Sequence, residues 1–234
     1  MNLFFLVEGR RTEPKVNDAW VKLTFPQLRR VYDIADIDSD CYCIFSGNGY
    51  PQYRTRLESA LLEICDYAAI DHFLLCVDSE EIDYETRVRE ERRMMHEAAE
   101  KTSVRQKKPQ LELHVIVQHC CIETWFLGHR KMLRRSPMSP RLAALKRFYD
   151  VSEADPELMD KPEGYLTRAS FHLEYLKEML RERDKSYSKD HPGVVCAPDY
   201  FDALRERCAT TGHLASLSNL LSTWQGLAGT MIAK

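Results

Sequence analysis

Carboxylate side chains stand at the ends of three predicted strands. Glu8 follows the first strand, and Asp78 and Glu80 follow the third. Glu123 lies just inside the helix that follows the fourth strand. Functional groups of open α/β sheets gather at the carboxyl ends of the strands, and acids that meet there repel one another unless a cation neutralises them. Hard oxygen ligands suit Mg²⁺ or Mn²⁺, so the sequence predicts a divalent metal site of the kind that supports phosphodiester chemistry.

Short apolar runs define the strands that must position these acids. The runs are Leu3–Val7, Cys41–Phe45, His72–Val77 and Leu111–Val117. Helical patterns separate them, and this alternation implies an α/β fold with a parallel or mostly parallel sheet flanked by helices. The strand signal vanishes from about Pro140, and a long helical stripe runs from Tyr165 to Leu180. We therefore predict an α/β domain over residues 1–138 and a helical C-terminal subdomain over residues 139–234.

The helices of the first domain differ in their predicted exposure. Apolar residues recur at helical spacing from Val16 to Leu23, with Thr12 available as the N-cap. The clearest stripe consists of Leu57, Ala60, Leu61, Ile64, Cys65 and Ala68. The highly charged stretch from Tyr84 to Lys101 predicts a largely exposed helix. The helix after the fourth strand carries Ile122, Phe126 and Leu133.

The composition places the chain among ordinary globular proteins. It has 234 residues, of which 44% are hydrophobic and 29% are charged, and this excludes a disordered or fibrous protein. The longest apolar runs have five residues, far fewer than a membrane span needs. The N-terminus reaches Glu8 without a basic stretch, unlike a secretory signal. We expect a soluble, cytoplasmic protein without a membrane partner.

Basic residues are concentrated in one stretch, although the net charge is only −3. The stretch from Thr124 to Tyr149 contains seven basic residues and no acidic one. The candidates for contact with nucleic-acid phosphates are Arg130, Lys131, Arg134 and Arg135. The alternative is an ordinary solvated helix face and loop.

Cysteines and histidines give weaker indications of chemistry. The eight cysteines have no zinc-binding spacing, and Cys120 and Cys121 are adjacent, so we interpret them as reduced, mostly buried thiols. His119 and Glu123 are four residues apart and could share a helix face, a spacing that also suits metal ligation. His129 is interpreted as a polar or core histidine.

Several motifs occur in the order found in one known family. Glu8–Pro14 (EGRRTEP) resembles the EGxxTEP opening of RloB-like proteins, which belong to the topoisomerase–primase (Toprim) superfamily. Val77–Glu80 (VDSE) resembles the DxD-type acid motif after the third Toprim strand, with Glu80 in place of the second aspartate. Cys121–Leu127 (CIETWFL) resembles a CFExWFL-like segment, preceded here by His-Cys where Asn-Pro is expected. Tyr187–Lys189 (YSK) resembles a Y-x-K element in the helical tail.

The resemblance implies metal-dependent cleavage of nucleic-acid phosphodiesters, in DNA or in RNA such as tRNA. Glu8 would be the general base or acid, and Asp78 and Glu80 would hold Mg²⁺ or Mn²⁺. Glu123 would be a further ligand or an acid beside the ligands. Lys189 or Arg11 would meet the charge of the transition state.

The resemblance also implies a biological setting. Toprim proteins of this kind are often toxic effectors of prokaryotic anti-phage defence, in which infected cells are sacrificed, and they commonly work beside an ABC-type or related ATPase. We expect such a partner to hold the nuclease inactive until a trigger releases it. Formation of a homo-oligomer is left open. The alternative from a different class is a non-catalytic module that binds nucleic acid, or docks on the ATPase, through the basic stretch.

Overall fold

Five strands form one sheet in the computed structural model, which describes residues 1–67, 69–136 and 138–232. The strands are β1 (Leu3–Val7), β2 (Arg29–Arg30), β3 (Cys41–Ser46), β4 (His72–Asp78) and β5 (Glu112–Gln118). Their order is β2-β3-β1-β4-β5, and the sheet is parallel. The predicted α/β fold class, with a mostly parallel sheet and helices, is confirmed.

Ten α-helices accompany the sheet in the described part of the chain. They are α1 (Thr12–Thr24), α2 (Gln52–Tyr67), α3 (Tyr84–Thr102), α4 (Val104–Lys107), α5 (Ile122–Phe126), α6 (Pro140–Phe148), α7 (Arg168–Arg181), α8 (Gly193–Cys196), α9 (Pro198–Thr211) and α10 (Ala215–Ile232). None of the described helices is both long enough and apolar enough to cross a membrane.

The chain divides into two compact units. The first comprises Met1–Val77, Asp83–Val117 and the C-terminal stretch from Gly226, and the second comprises Asp78–Ile82 and Gln118–Gln225. These bounds differ from the predicted domains at 1–138 and 139–234. The difference arises because the segment after β5, including α5, packs with the C-terminal helices: α5 and α6 both contact α7.

The core of the first unit explains the sequence pattern of β1. Every residue of β1 is buried because the strand lies between β3 and β4 and is covered on both faces. The Phe4 ring stacks on Phe45 and Phe73, with centroid separations of 5.2 and 5.3 Å. The stripe of α2 joins the same core through Leu57, Leu61 and Ile64. Ala68, which the sequence places on this stripe, lies outside the described residues.

Strand β2 was not predicted from the sequence. Its two residues are arginines, so it has no apolar run, and it is defined only by its pairing. The Arg29 N–H donates to the Asp40 carbonyl at 2.7 Å, and the Val31 N–H donates to the Tyr42 carbonyl at 2.9 Å. Backbone pairing with β3 therefore decides this edge of the sheet.

Three helix predictions need correction. Helix α3 is not largely exposed, because the charged residues Arg87 and Glu91 are buried on its inner face. The helix after β5 ends at Phe126, and a separate 3₁₀ turn precedes Leu133, since Gly128 interrupts the pattern with a turn to Trp125. The long C-terminal helix begins at Arg168 rather than Tyr165, because Thr167 and Ser170 form its capping box.

Candidate functional site

The first unit places Glu8 directly after β1. The Glu8 N–H donates to the Cys76 carbonyl at 2.9 Å, which continues the parallel pairing one residue beyond Val7. The Glu8 side chain is buried, and its Oε2 lies 3.9 Å from Nη2 of Arg87. The Glu8 carboxylate, which the sequence predicts as a site residue, is therefore paired with Arg87, which no sequence pattern indicated.

Arg87 is the centre of a buried charge network on helix α3. Arg87 is 4% exposed and Glu91, one helical turn later, is 0% exposed. The Arg87 Nη1 lies 3.2 Å from Glu91 Oε1, and the Tyr53 hydroxyl donates to the same oxygen at 2.6 Å. Burial, reinforced by the hydrogen bond to Glu91, raises the pKa of Tyr53 above its usual range. The Arg87 guanidinium thus contacts both buried carboxylates, and Arg54 adds a second cation 3.9 Å from Glu91, as buried charges require.

The loop before α1 is closed by a side chain rather than by a special backbone conformation. Gly9 is the second residue of the EGRRTEP motif, and its N–H donates to Oε1 of Glu13 at 2.9 Å. A Cβ on Gly9 would lie 2.2 Å from Glu13 Oε2, so a larger residue here would displace this carboxylate. Glu13 lies in the first turn of α1, where a negative charge is favoured, and Arg11 is the exposed N-cap residue.

The turn after β3 also lies against the end of β1. The Gly47 N–H donates to the Val7 carbonyl at 2.7 Å, and the Gly49 N–H donates to the Glu8 carbonyl at 2.8 Å. A Cβ on Gly47 would lie 2.2 Å from Cβ of Tyr53. The turn and the start of α2 therefore fix the backbone of Glu8 and the position of Tyr53 together.

The second unit contains the acid motif that follows β4. The Ser79 N–H donates to the Gln118 carbonyl at 2.9 Å, and the Glu80 N–H donates to the Cys120 carbonyl at 2.8 Å. The Cys120 N–H in turn donates to Ser79 Oγ at 2.7 Å. Asp78 is half-buried, whereas Glu80 is exposed and has a φ of 50°. These bonds join the acid motif to the segment that leads into α5.

Glu123 is buried in the first turn of α5, and its partners come from the C-terminal part of the chain. The Tyr187 hydroxyl donates to Glu123 Oε1 at 2.9 Å, and Lys189 Nζ lies 3.7 Å from the same oxygen. The structure therefore brings the Y-x-K element together with the glutamate of the CIETWFL segment. Arg130, which follows α5 in the chain, lies 3.6 Å from Glu153 instead.

The carboxylates of Asp78 and Glu123 both affect the pKa of the buried Cys121 thiol. The hydrogen bond that the Cys121 thiol donates to Cys120, burial, and the negative charges of Glu123 and Asp78 raise the pKa of Cys121 well above its usual value. Both carboxylates thus lie in the electrostatic surroundings of one thiol. Among the predicted site residues, Asp78, Glu80, Glu123 and Lys189 belong to the second unit, while Glu8 and Arg11 belong to the first.

The predicted pair of His119 and Glu123 is not formed on a helix face. Helix α5 begins only at Ile122, and Nδ1 of His119 lies 3.7 Å from Glu157. His129 is buried, which agrees with its interpretation as a core histidine, and its ring packs edge-on against Tyr200 at 4.6 Å between centroids.

The basic stretch lines a cavity of about 710 Å³ in the second unit. All four predicted phosphate contacts are on its wall, together with two arginines from the C-terminal helical region; the six basic residues are Arg130, Lys131, Arg134, Arg135, Arg183 and Arg207. Two acids, Glu153 and Glu206, share this wall. The excess of positive charge suits a phosphate-bearing ligand.

Backbone carbonyls hold the arginines of this cavity. Arg207 is buried and donates to the carbonyls of Gly128, Val151 and Ala154 at 2.7 to 3.0 Å. Arg183 donates to the Lys131 carbonyl at 2.8 Å. The guanidinium groups therefore fix the loop that carries the basic stretch as well as charging the cavity.

Two side-chain groups in the described residues bring three metal-ligating atoms within 4.8 Å of one another. One is Cys120, Cys121 and His172, and the other is His72, Glu112 and His114. The four predicted carboxylates are in neither group. Their oxygen donors nevertheless suit Mg²⁺, which usually binds through one or two carboxylates and keeps several waters. Sequence spacing could not reveal His172, which is 51 residues from Cys121.

No protein-family model, curated protein or solved structure matches this chain.

Proposed function

We propose that this chain is a metal-dependent nuclease that cleaves phosphodiester bonds in DNA or in RNA such as tRNA. The observation that carries the proposal is the Glu8 N–H bond to the Cys76 carbonyl, two residues before Asp78 in the chain. Neighbouring strands β1 and β4 thus both lead into acidic residues at their carboxyl ends, where active sites of parallel sheets occur.

In this proposal Asp78 and Glu80 would hold Mg²⁺ or Mn²⁺, and Glu123 would be a further ligand or an acid beside the ligands. The ion would supply a metal-bound water as nucleophile and stabilise the leaving oxygen. Glu8 would act as the general base or acid of the reaction. Arg87 compensates the charge of this carboxylate from within the first unit. Lys189, held beside Glu123, offers a positive charge to the phosphate.

The basic cavity supports a nucleic-acid substrate. The wall of this space of about 710 Å³ carries more basic than acidic residues, and its exposed basic residues can neutralise backbone phosphates. The same cavity favours the second candidate function, a non-catalytic module that binds nucleic acid or docks on an ATPase. The motif resemblance also implies the biological setting that we propose. The nuclease would act in anti-phage defence in the cytoplasm of a prokaryotic cell, and a partner ATPase would control it.

The deciding experiment measures cleavage of end-labelled DNA and of tRNA with Mn²⁺, Mg²⁺ or EDTA. We expect metal-dependent cleavage by the wild type. Glu8→Gln should lower the rate at least about 100-fold because it removes the general base or acid. The control is Glu63→Gln, an exposed acid on α2, which should cleave like the wild type. Circular dichroism checks that each variant is folded.

The two candidate functions give different results. Equal cleavage by the wild type and Glu8→Gln would remove the catalytic assignment. Binding that weakens steeply with salt, without cleavage and without any effect of metal or of Glu8→Gln, would establish the non-catalytic module instead.

A further inference from the structure

Two cysteines and a histidine meet in the interior of the second unit. Cys120 and Cys121 lie between β5 and α5, and His172 lies in the first turns of α7. All three side chains are at most 1% exposed. One ligating atom from each lies within 4.8 Å of the other two. Neither the proposed nuclease chemistry nor the basic cavity uses these residues.

The hydrogen bonds of His172 orient its ring for metal binding. Nε2 lies 3.1 Å from the Met159 carbonyl oxygen, which can only accept, so Nε2 carries the hydrogen. In the neutral ring Nδ1 then holds the lone pair and accepts from Thr124 Oγ1 at 2.7 Å. A metal-binding histidine usually donates its other ring N–H to a carbonyl or carboxylate in this way.

Thr124 connects the histidine to the cysteines. Its hydroxyl oxygen lies 3.6 Å from Cys121 Sγ as well as 2.7 Å from His172 Nδ1. The Cys121 sulfur and the lone pair of His172 Nδ1 are therefore both next to the Thr124 hydroxyl. This small group can rotate away to leave room for a metal ion.

Backbone geometry fixes the position of Cys120 in the cluster. The Cys120 backbone is held by two hydrogen bonds, from its N–H to Ser79 Oγ and from the Glu80 N–H to its carbonyl. The φ of Cys120 is 61°, a conformation that non-glycine residues adopt rarely. The backbone thus fixes the direction of the sulfur.

We propose that Cys120, Cys121 and His172 bind one Zn²⁺ ion. Zn²⁺ prefers sulfur and imidazole nitrogen, whereas Mg²⁺ prefers oxygen, so this centre is chemically distinct from the acidic site. In a tetrahedral zinc site the ligand atoms are about 3.5 to 3.8 Å apart, so distances of up to 4.8 Å need to contract by at most about 1.3 Å. A water molecule completes the coordination. Both cysteines bind the ion as thiolates, so binding releases their thiol protons to solvent.

The test uses Co²⁺ as a spectroscopic substitute for Zn²⁺ on the full chain, after removal of metal by a chelator under reducing conditions. We expect one Co²⁺ per chain, with a thiolate-to-cobalt charge-transfer band and the visible bands of a tetrahedral ion. Cys121→Ser and Cys120→Ser should each halve the charge-transfer band and weaken binding at least about tenfold. Addition of Zn²⁺ should abolish the cobalt spectrum.

Two control variants separate this centre from other ligands. Cys65→Ser removes a partly exposed thiol on α2, and His114→Gln disrupts the group of His72, Glu112 and His114. Both should leave the cobalt spectrum unchanged. A cobalt spectrum that is lost in His114→Gln but kept in Cys121→Ser would overturn the proposal.

X-ray absorption of the zinc-loaded wild type keeps the test valid if a cysteine variant does not fold. The proposal requires two sulfur neighbours at about 2.3 Å from the zinc. A shell of oxygen and nitrogen alone, or no stoichiometric zinc, would overturn it. Because the cluster does not include Glu8, loss of zinc binding and loss of Mn²⁺-dependent cleavage are separate results.

Discussion

Arg87 forms an ion pair with Glu8, since its Nη2 lies 3.9 Å from the Glu8 Oε2 in the interior of the first unit. The same guanidinium contacts Glu91 on its own helix at 3.2 Å and the Tyr53 hydroxyl at 3.2 Å. The residue proposed as the general base or acid is thus built into a charge network that spans the end of β1, the start of α2 and the first half of α3.

Removal of Arg87 should destabilise the protein strongly. Arg87→Met removes the buried cation that contacts both Glu8 and Glu91, although Arg54 still lies 3.9 Å from Glu91. Breaking a buried pair in this way costs about 3 to 5 kcal/mol. The free energy of unfolding in urea measures the effect. Arg93→Met is the matched control on the same helix, because the Arg93–Glu97 pair is exposed and should cost less than about 1 kcal/mol. Equal losses in the two variants would show that the buried network does not stabilise the first unit.

The Tyr187 hydroxyl should stabilise the second unit through Glu123. Tyr187→Phe removes the 2.9 Å hydrogen bond to a buried carboxylate, and a hydrogen bond to a charged group contributes about 1.5 to 3 kcal/mol. Thermal and urea unfolding of the variant should show a loss in this range. Tyr67→Phe, at an exposed position, should be neutral. A neutral Tyr187→Phe would mean that solvent or Lys189 satisfies Glu123 equally well.

His129 should make stability fall in mild acid. Burial lowers the pKa of His129, and the positive charges of Lys131 and Arg183 act in the same direction. The unfolded chain, with an ordinary histidine pKa near 6.5, then binds a proton that the folded chain does not, so the free energy of unfolding decreases as the pH falls below about 6.5. One such group contributes at most about 1.4 kcal/mol per pH unit.

Two histidine variants isolate this contribution. Urea unfolding between pH 7 and pH 5 should show a smaller pH dependence for His129→Gln than for the wild type. His96→Gln, at an exposed position on α3, should keep the slope of the wild type. An unchanged slope in His129→Gln would contradict the prediction.

Charge reversal in the basic cavity should weaken nucleic-acid binding without changing metal occupancy. Replacing Arg134 and Arg135 by glutamate removes two cationic residues from the cavity wall. The slope of log K against log salt should become less steep by about 0.7 to 0.9 for each phosphate that the protein no longer neutralises. Fluorescence anisotropy at several salt concentrations measures this slope, and bound Mn²⁺ is measured in parallel. The exposed Arg92→Glu on α3 is the control. A salt slope equal to that of the wild type would exclude this cavity from the nucleic-acid interface.

The sequence predicted the strands well where several consecutive residues are apolar and therefore buried. The runs Leu3–Val7 and His72–Val77 became β1 and β4 with nearly the predicted bounds, because a strand covered on both faces must be apolar at every position. The same runs located Glu8 and Asp78 at strand ends. Local apolar periodicity also located α2, whose stripe faces the core of the first unit.

Only the tertiary structure decided where the charged side chains and the metal-ligating cysteine and histidine side chains are buried. Arg87 and Glu91 lie in a helix whose composition predicts exposure, and their burial depends on Glu8 and Tyr53, which are distant in sequence. His172 reaches the cysteines only because α7 packs against α5. Burial of apolar residues produces a periodic sequence pattern, because one residue per helical turn, or every second residue of a strand, faces the same core. The pairing of charges and of metal-ligating atoms produces no such pattern, because its free energy depends on distances that only the folded chain fixes.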